Sequence, residues 1–193
     1  MQDYITPVKT QREVARCPPT TMDRFFCIDT GTTESGYALI AGDYSVIEAG
    51  KVENERILEM IDYIAESYDG FSIVFERFAP QQSMGKSTLD SIVWYGRFMQ
   101  RCIEHEFENI YEIYRRDVKK HLLGKFDKKN GSADTQIRRA LVERFAKDVP
   151  NGGKGNKASP GWFYGFAGSD MYAAYAVGVT CLDYLMDNYK RSV

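Results

Sequence analysis

Two apolar runs in this sequence each stop at a carboxylate: Phe25-Phe26-Cys27-Ile28 leads straight into Asp29, and Ile73-Val74-Phe75 into Glu76. Short apolar runs bounded by turn residues read as buried strands. Asp29 is followed by Thr30 to Ser35, with Gly31 as the permissive turn residue, and then by a second strand, Gly36-Tyr37-Ala38-Leu39-Ile40. A carboxylate at the end of a buried strand costs free energy unless it is paired, bound to a metal ion or used in a reaction. The milder alternative is that Asp29 only accepts hydrogen bonds from the amides of its turn.

The remaining elements follow in an order that narrows the fold. Residues 1–23 lack periodicity and contain the Pro18-Pro19 break, so they read as an N-terminal extension, with the folded domain spanning 24–193. Ser45 to Val52 reads as a third strand, and "ENERILEMIDYIAESY" places Ile57, Leu58, Ile61 and Ile64 at helical spacing. "FSIVFERF" is a fourth strand, "KSTLDSIVWYGRFMQRCIEH" a long helix with Leu89, Ile92, Val93, Tyr95, Gly96 and Met99 near one side, and "NIYEIYR" a fifth strand. A basic segment follows, then a helix from about Asp134 to Lys147, a Gly/Lys/Asn-rich loop between Pro150 and Pro160, and a last helix from about Ser169 to Asp187. Three strands, helix, strand, helix, strand is the order of the α/β ribonuclease-H-like fold, a mixed five-stranded sheet flanked by helices. In that fold the first and fourth strands are parallel neighbours, about 4.8 Å apart, so Asp29 and Glu76 come to one edge.

A third acid, Asp170, opens the last helix in "GSDMYAAYAVGV". Alone it reads equally as a first-turn acid that suits the helix dipole. The small residues Ala173, Ala174, Ala176 and Gly178 would let that helix lie close against the sheet. Asp29, Glu76 and Asp170 together form a cluster that repels itself without cations. Two magnesium ions roughly 3.5–4 Å apart would neutralise it, activate water and stabilise the leaving oxygen of an in-line phosphodiester displacement.

Composition bounds the rest. With 193 residues, 44% of them hydrophobic, the chain suits one well-cored domain. Cys17, Cys27, Cys102 and Cys181 show no CxxC spacing, and with only His105 and His121 no zinc template can be assembled, so reduced thiols in a cytoplasm are the simplest reading. No long apolar run or signal-peptide pattern points to a membrane. The net charge of −2 hides an asymmetry: residues 1–114 carry −9, residues 115–157 carry +8, and the remainder −1. An isolated charge run is usually a solvated face, but beside a candidate acid site it suggests a polyanion drawn to metal-loaded carboxylates.

The succession "IDTGTTESGYALI", "IVFERF", "VKKHLLG", "GSADTQIRRALVERF", "PGWFYG" and "SDMYAAYAVGVT" resembles the RuvC-type Holliday junction resolvases, most closely their phage-encoded relatives, over roughly residues 24–185. The resemblance implies a homodimer that makes magnesium-dependent symmetrical cuts in four-way DNA junctions, with manganese as a substitute metal. It implies Asp29, Glu76 and Asp170 as catalytic metal ligands and Lys119 as the basic residue near the scissile phosphate. A fourth acid that many resolvases carry one helical turn beyond Asp170 is here Ala173. A lysine that the family often sets beside the acid of the "GSAD" segment is also missing, since Ala133 and Thr135 flank Asp134. Lys128 and Lys129 are the candidates to replace it.

Further DNA contacts are expected from Lys86, Lys119, Lys120, Lys128 and Lys129, with Phe78 against an opened junction. Phe78 reads equally as a packed strand-end residue, Lys86 as a simple exposed lysine, and Trp162, Phe163, Tyr164 and Phe166 mainly as core. Trp94, Tyr95 and Phe98 are expected at a two-fold interface. Rival classes remain: "IDTGTTESG" also resembles the first phosphate loop of actin-like ATPases, but those need a second domain and a second Gly-rich loop. "GKST" at Gly85–Thr88 has Pro80 where a Walker loop needs its first glycine. A non-catalytic DNA-binding module needs the basic block without the acids, and a nuclease of the same fold for other branched or flapped DNA needs both.

Overall fold

In the computed structural model, which describes residues 18–67, 70–79 and 85–192, five strands form one sheet. They are β1 (Arg24–Asp29), β2 (Glu34–Ala41), β3 (Val46–Glu53), β4 (Phe71–Arg77) and β5 (Asn109–Tyr114), in the spatial order β3-β2-β1-β4-β5. The first three pair antiparallel as a meander, whereas β4 runs parallel to β1 and β5 parallel to β4. The helices are α1 (Asn54–Ser67), α2 (Lys86–Glu104), α3 (Arg115–Leu123), α4 (Ala133–Phe145) and α5 (Ser169–Ser192). This is the expected ribonuclease-H-like arrangement. Most of the expected N-terminal extension, residues 1–17, lies outside the described residues, and the first strand begins at Arg24.

Strand alternation assigns the layers. Phe26, Ile28, Ile73 and Phe75 point to the face covered by α1 and α2, where Ile57, Ile61, Phe98 and Cys102 complete the core. Phe25, Cys27, Ala38, Ile40 and Val74 point to the opposite face, covered by α4 and α5. The small residues of α5 act as the sequence suggests. A Cβ on Gly178 would stand 2.5 Å from Cys27 Sγ and 2.7 Å from Ile40 Cδ1, so only glycine permits this approach. Cys27, Cys102 and Cys181 are buried free thiols. Among the described residues no helix is long and apolar enough to cross a membrane.

Two expectations need correction. The side of α2 that faces the sheet is built on Ser91, Phe98 and Cys102, while Leu89 and Val93 from the expected stripe are 50% and 63% exposed. Phe98, expected at a two-fold interface, is fully buried within the monomer. Residues 115–123, read only as part of a basic segment, form α3, whose single buried residue, Val118, gives a faint periodic signal.

The helices α3, α4 and α5 are tied to the β2–β3 turn by one carboxylate. Asp183 accepts from Tyr44 Oη at 2.8 Å, lies 2.7 Å from His121 Nε2, and receives both Arg144 nitrogens at 2.6 and 2.8 Å. These donors hold its carboxyl well below the ordinary range, although burial acts the other way. Asp183→Asn removes the charge that Arg144 and His121 share. It is expected to cost roughly 2–4 kcal/mol, somewhat less than the ~3–5 kcal/mol of a fully buried pair because Arg144 is partly exposed. Urea unfolding checks this; a loss below about 0.5 kcal/mol would mean that the ties are ornamental.

Candidate active site

The acids sit where the parallel strands end. Ile28 pairs with Phe75, so the next residues along the two strands, Asp29 and Glu76, stand side by side. By alternation Asp29 shares the face of Cys27, and Glu76 that of Val74; both therefore face α5. Asp29 is opposite Gly36 in the β1–β2 register. A Cβ on Gly36 would lie 2.5 Å from the Asp170 carbonyl oxygen and 2.8 Å from Asp170 Cβ. The missing side chain at 36 is thus what lets the start of α5 bring Asp170 over the end of β1. The turn after Asp29 is pinned as well: Ser35 Oγ donates to Asn54 at 2.6 Å and accepts from the Gly31 amide at 3.2 Å.

Gly36→Ala tests this stacking without touching a carboxylate. The added methyl must lift the first turn of α5, at about 1–3 kcal/mol in stability. A displacement on the order of 1 Å at Asp170 is expected to lower any activity of the site roughly 10²-fold. An alanine variant with the normal single-turnover rate would mean that Asp170 is not held through Gly36.

Burial pushes the Asp29 carboxyl up to about 7, helped by the neighbouring charge of Glu76 and, less, of Asp170 and Asp134, with Arg115 acting against the rise. Burial raises Glu76 too, offset by Arg115 and by Lys119. That places Lys119, on α3, among the charges felt by Glu76. Sequence reasoning missed two cations here. Arg115 Nη1 is 2.8 Å from Glu76 Oε2, and its Nη2 pairs with Asp134 at the start of α4. Lys51 Nζ on β3 is 3.0 Å from Asp170 Oδ2 and 3.4 Å from Glu34. The signal for both lay in register: Lys51 is opposite Gly36, and Arg115 directly follows β5, which ends level with the Glu76 strand.

The donor set is all carboxylate, the chemistry that magnesium and manganese prefer. Beside it the Thr30 hydroxyl is buried without a hydrogen-bond partner among the described residues. As the side chains stand, no three His, Cys, Asp or Glu residues among those described converge closely enough to hold an ion. Glu76 is turned to Arg115 and Asp170 to Lys51. The acids fit a metal in kind and backbone position, and two carboxylates must leave their ion pairs to ligate. Ala173, where a fourth acid was absent from the sequence, is buried.

The other expected contacts divide. Lys86 begins α2 and is exposed, and Lys120 is exposed on α3. Lys128 and Lys129 occupy a short 3-10 turn capped by Asp127. Phe78 packs edge-on against Tyr95, ring centroids 6.0 Å apart, and stays half-buried. Phe163 and Phe166 are core residues, Trp162 stacks on Phe145, and Tyr164 is half exposed.

No protein-family model and no curated protein matches the chain. Solved structures do. Thermus thermophilus RuvC in complex with a Holliday junction substrate superposes with a TM-score of 0.55 at 16% identity, over 85% of this chain and 96% of that one. A second structure of Thermus thermophilus RuvC gives 0.56 at 15%, over 86% and 97%. The yeast mitochondrial Holliday junction resolvase Ydc2 gives 0.56 at 12%, over 93% and 85%. At such identities the likeness establishes the shared fold.

Proposed function

We propose that the protein is a structure-selective endonuclease that cuts phosphodiester bonds in four-way DNA junctions, with a place in DNA recombination or repair. The observation that supports this reading is that strand register and the bare Gly36 bring the backbones of Asp29, Glu76 and Asp170 to one end of the sheet, where Asp29 feels the charges of the other two. A fold alone assigns no chemistry, but clustered acids beside a basic segment are what metal-assisted hydrolysis of a polyanion requires. Two magnesium ions held by these acids, or manganese in their place, would activate water and neutralise the leaving oxygen.

The residues of the chain divide the remaining work. Lys119 meets the non-bridging oxygens of the scissile phosphate. Lys86, Lys120, Lys128 and Lys129 hold the backbone to either side, with Phe78 at the junction centre. Opposed cuts call for a second copy related by a two-fold axis. The outward side of α2, with exposed Leu89 and Val93 and the Arg97 guanidinium 3.9 Å above Trp94, is the surface we assign to it.

The test is incubation in magnesium with an immobile four-way junction, a three-way junction, a flap and a linear duplex. Preferential cutting of the four-way junction is expected. Equal cutting of flap or three-way DNA would move the assignment to branched DNA at large. Tight binding with no cutting of any substrate would leave a DNA-binding module.

A further inference from the structure

We infer that a cavity between the first turns of α4 and α5 is a second phosphate site, which takes a backbone phosphodiester neighbouring the one that is cut. The inference rests on the nuclease reading above. The cavity holds about 330 Å³ and is lined by Ser132, Thr135, Arg138, Lys154, Ser169 and Tyr172, with Asp134 on the side toward the acids. Its position is fixed by that wall. Asp134 is bound through Arg115 to Glu76, and Ser169 precedes Asp170.

The lining has the character of an anion site. Two cations face it, and neither Arg138 nor Lys154 has an ion pair among the described residues, whereas Asp134 is already engaged by Arg115. Arg138 lies over the Tyr172 ring, with Cζ 5.0 Å from the centroid. Tyr172 is only 3% exposed, and its hydroxyl, which feels the Arg138 guanidinium, has no acceptor among the described residues. A buried hydroxyl left without a partner is costly, and an anion in the cavity would accept from it. The amide ends of α4 and α5 open on the same space and favour negative charge there.

Lys154 is placed by a tightly built loop. Its carbonyl accepts from the Gly161 amide at 2.8 Å, and the Gly153 carbonyl accepts from Phe163 at 3.0 Å. Gly155 has φ of +65° and would set a Cβ 2.3 Å from the Ser159 carbonyl oxygen. A half-buried lysine whose backbone is fixed in this way, and which has no ion pair among the described residues, is poised for an external anion. The strand whose scissile phosphate lies at the acids supplies one. A phosphodiester is preferred over free phosphate because the cavity adjoins the acids, where a polynucleotide must already run.

The experiment measures junction binding in calcium, over a range of salt, for the full chain and for the Arg138→Gln, Lys154→Gln double variant. Junctions carry a single neutral methylphosphonate, moved one position at a time along the strand that is cut. The site takes one phosphodiester, so the variant should lose about 1 from the log–log salt slope. In the wild type, methylphosphonate at one position beside the cut should weaken binding, and that penalty should vanish in the variant.

The scan on the wild type stands even if the variant fails to fold: no sensitive position beside the cut overturns the inference. So does an unchanged slope, or a penalty that persists in the variant. Thermal stabilisation of the wild type by inorganic phosphate, lost in the variant and joined to a flat scan, would assign the cavity to a free anion and overturn the DNA assignment. A wild type that binds no branched DNA overturns the nuclease reading, and this site with it; a wild type that binds and cuts while the scan is flat overturns this site alone.

Discussion

Asp29→Asn, Glu76→Gln and Asp170→Asn are each expected to abolish junction cleavage while the protein stays folded and still binds DNA. Each substitution keeps the shape of the side chain and removes a hard anionic ligand. The charge stabilisation lost is several kcal/mol, on the order of 10³-fold or more in rate. Binding is expected to persist, because affinity for DNA comes mainly from phosphate contacts, and the basic excess lies in residues 115–157. Removing a carboxylate also relieves repulsion among Asp29, Glu76, Asp170 and Asp134. Single-turnover rates at saturating protein make the measurement. Full activity in any one of the three would take that residue out of the site.

The second large effect is on the metal-free protein. Asp29 carries a folded-state carboxyl pushed up to about 7, chiefly by burial and then by Glu76. In the unfolded chain an aspartate titrates near ~3.9. Between these values the folded form holds a proton that the unfolded form has released, so stability falls as pH rises through that window. The loss is on the order of a few kcal/mol by pH 7. Asp29→Asn carries no charge at either end, and its stability should change less between pH 4 and 7. Urea unfolding in a chelator across this range checks the sign. A wild type that gains stability toward pH 7 more than the variant does would mean that Asp29 is held ionised by partners rather than strained by burial.

The acids were legible because each broke an apolar run: Asp29 after Phe25–Ile28, Glu76 after Ile73–Phe75. So was Asp170, through the small residues that follow it. Their counter-ions were not. Lys51 and Arg115 reach the acids only through the register of β2 with β3 and the level at which β5 ends, facts of pairing rather than of local pattern. The face of α2 was misread for a related reason. Leu89, Ile92, Val93, Gly96 and Met99 satisfy helical periodicity as well as the Ser91, Phe98, Cys102 line does. Which stripe is buried is settled by the sheet, where Phe26 and Phe75 offer Phe98 its place. The exposed stripe that remains is where a second copy of the chain is assigned.

The proposed activity joins one chemistry to one geometry: a divalent metal held by three acids, acting twice across a two-fold axis. A supercoiled plasmid that extrudes a cruciform tests both together. Incubated with the wild-type protein in magnesium, it is predicted to become linear directly, because two opposed cuts fall within the lifetime of one complex. Conversion to nicked circles alone, or no cutting at all in magnesium or manganese while the cruciform is bound, would contradict the account.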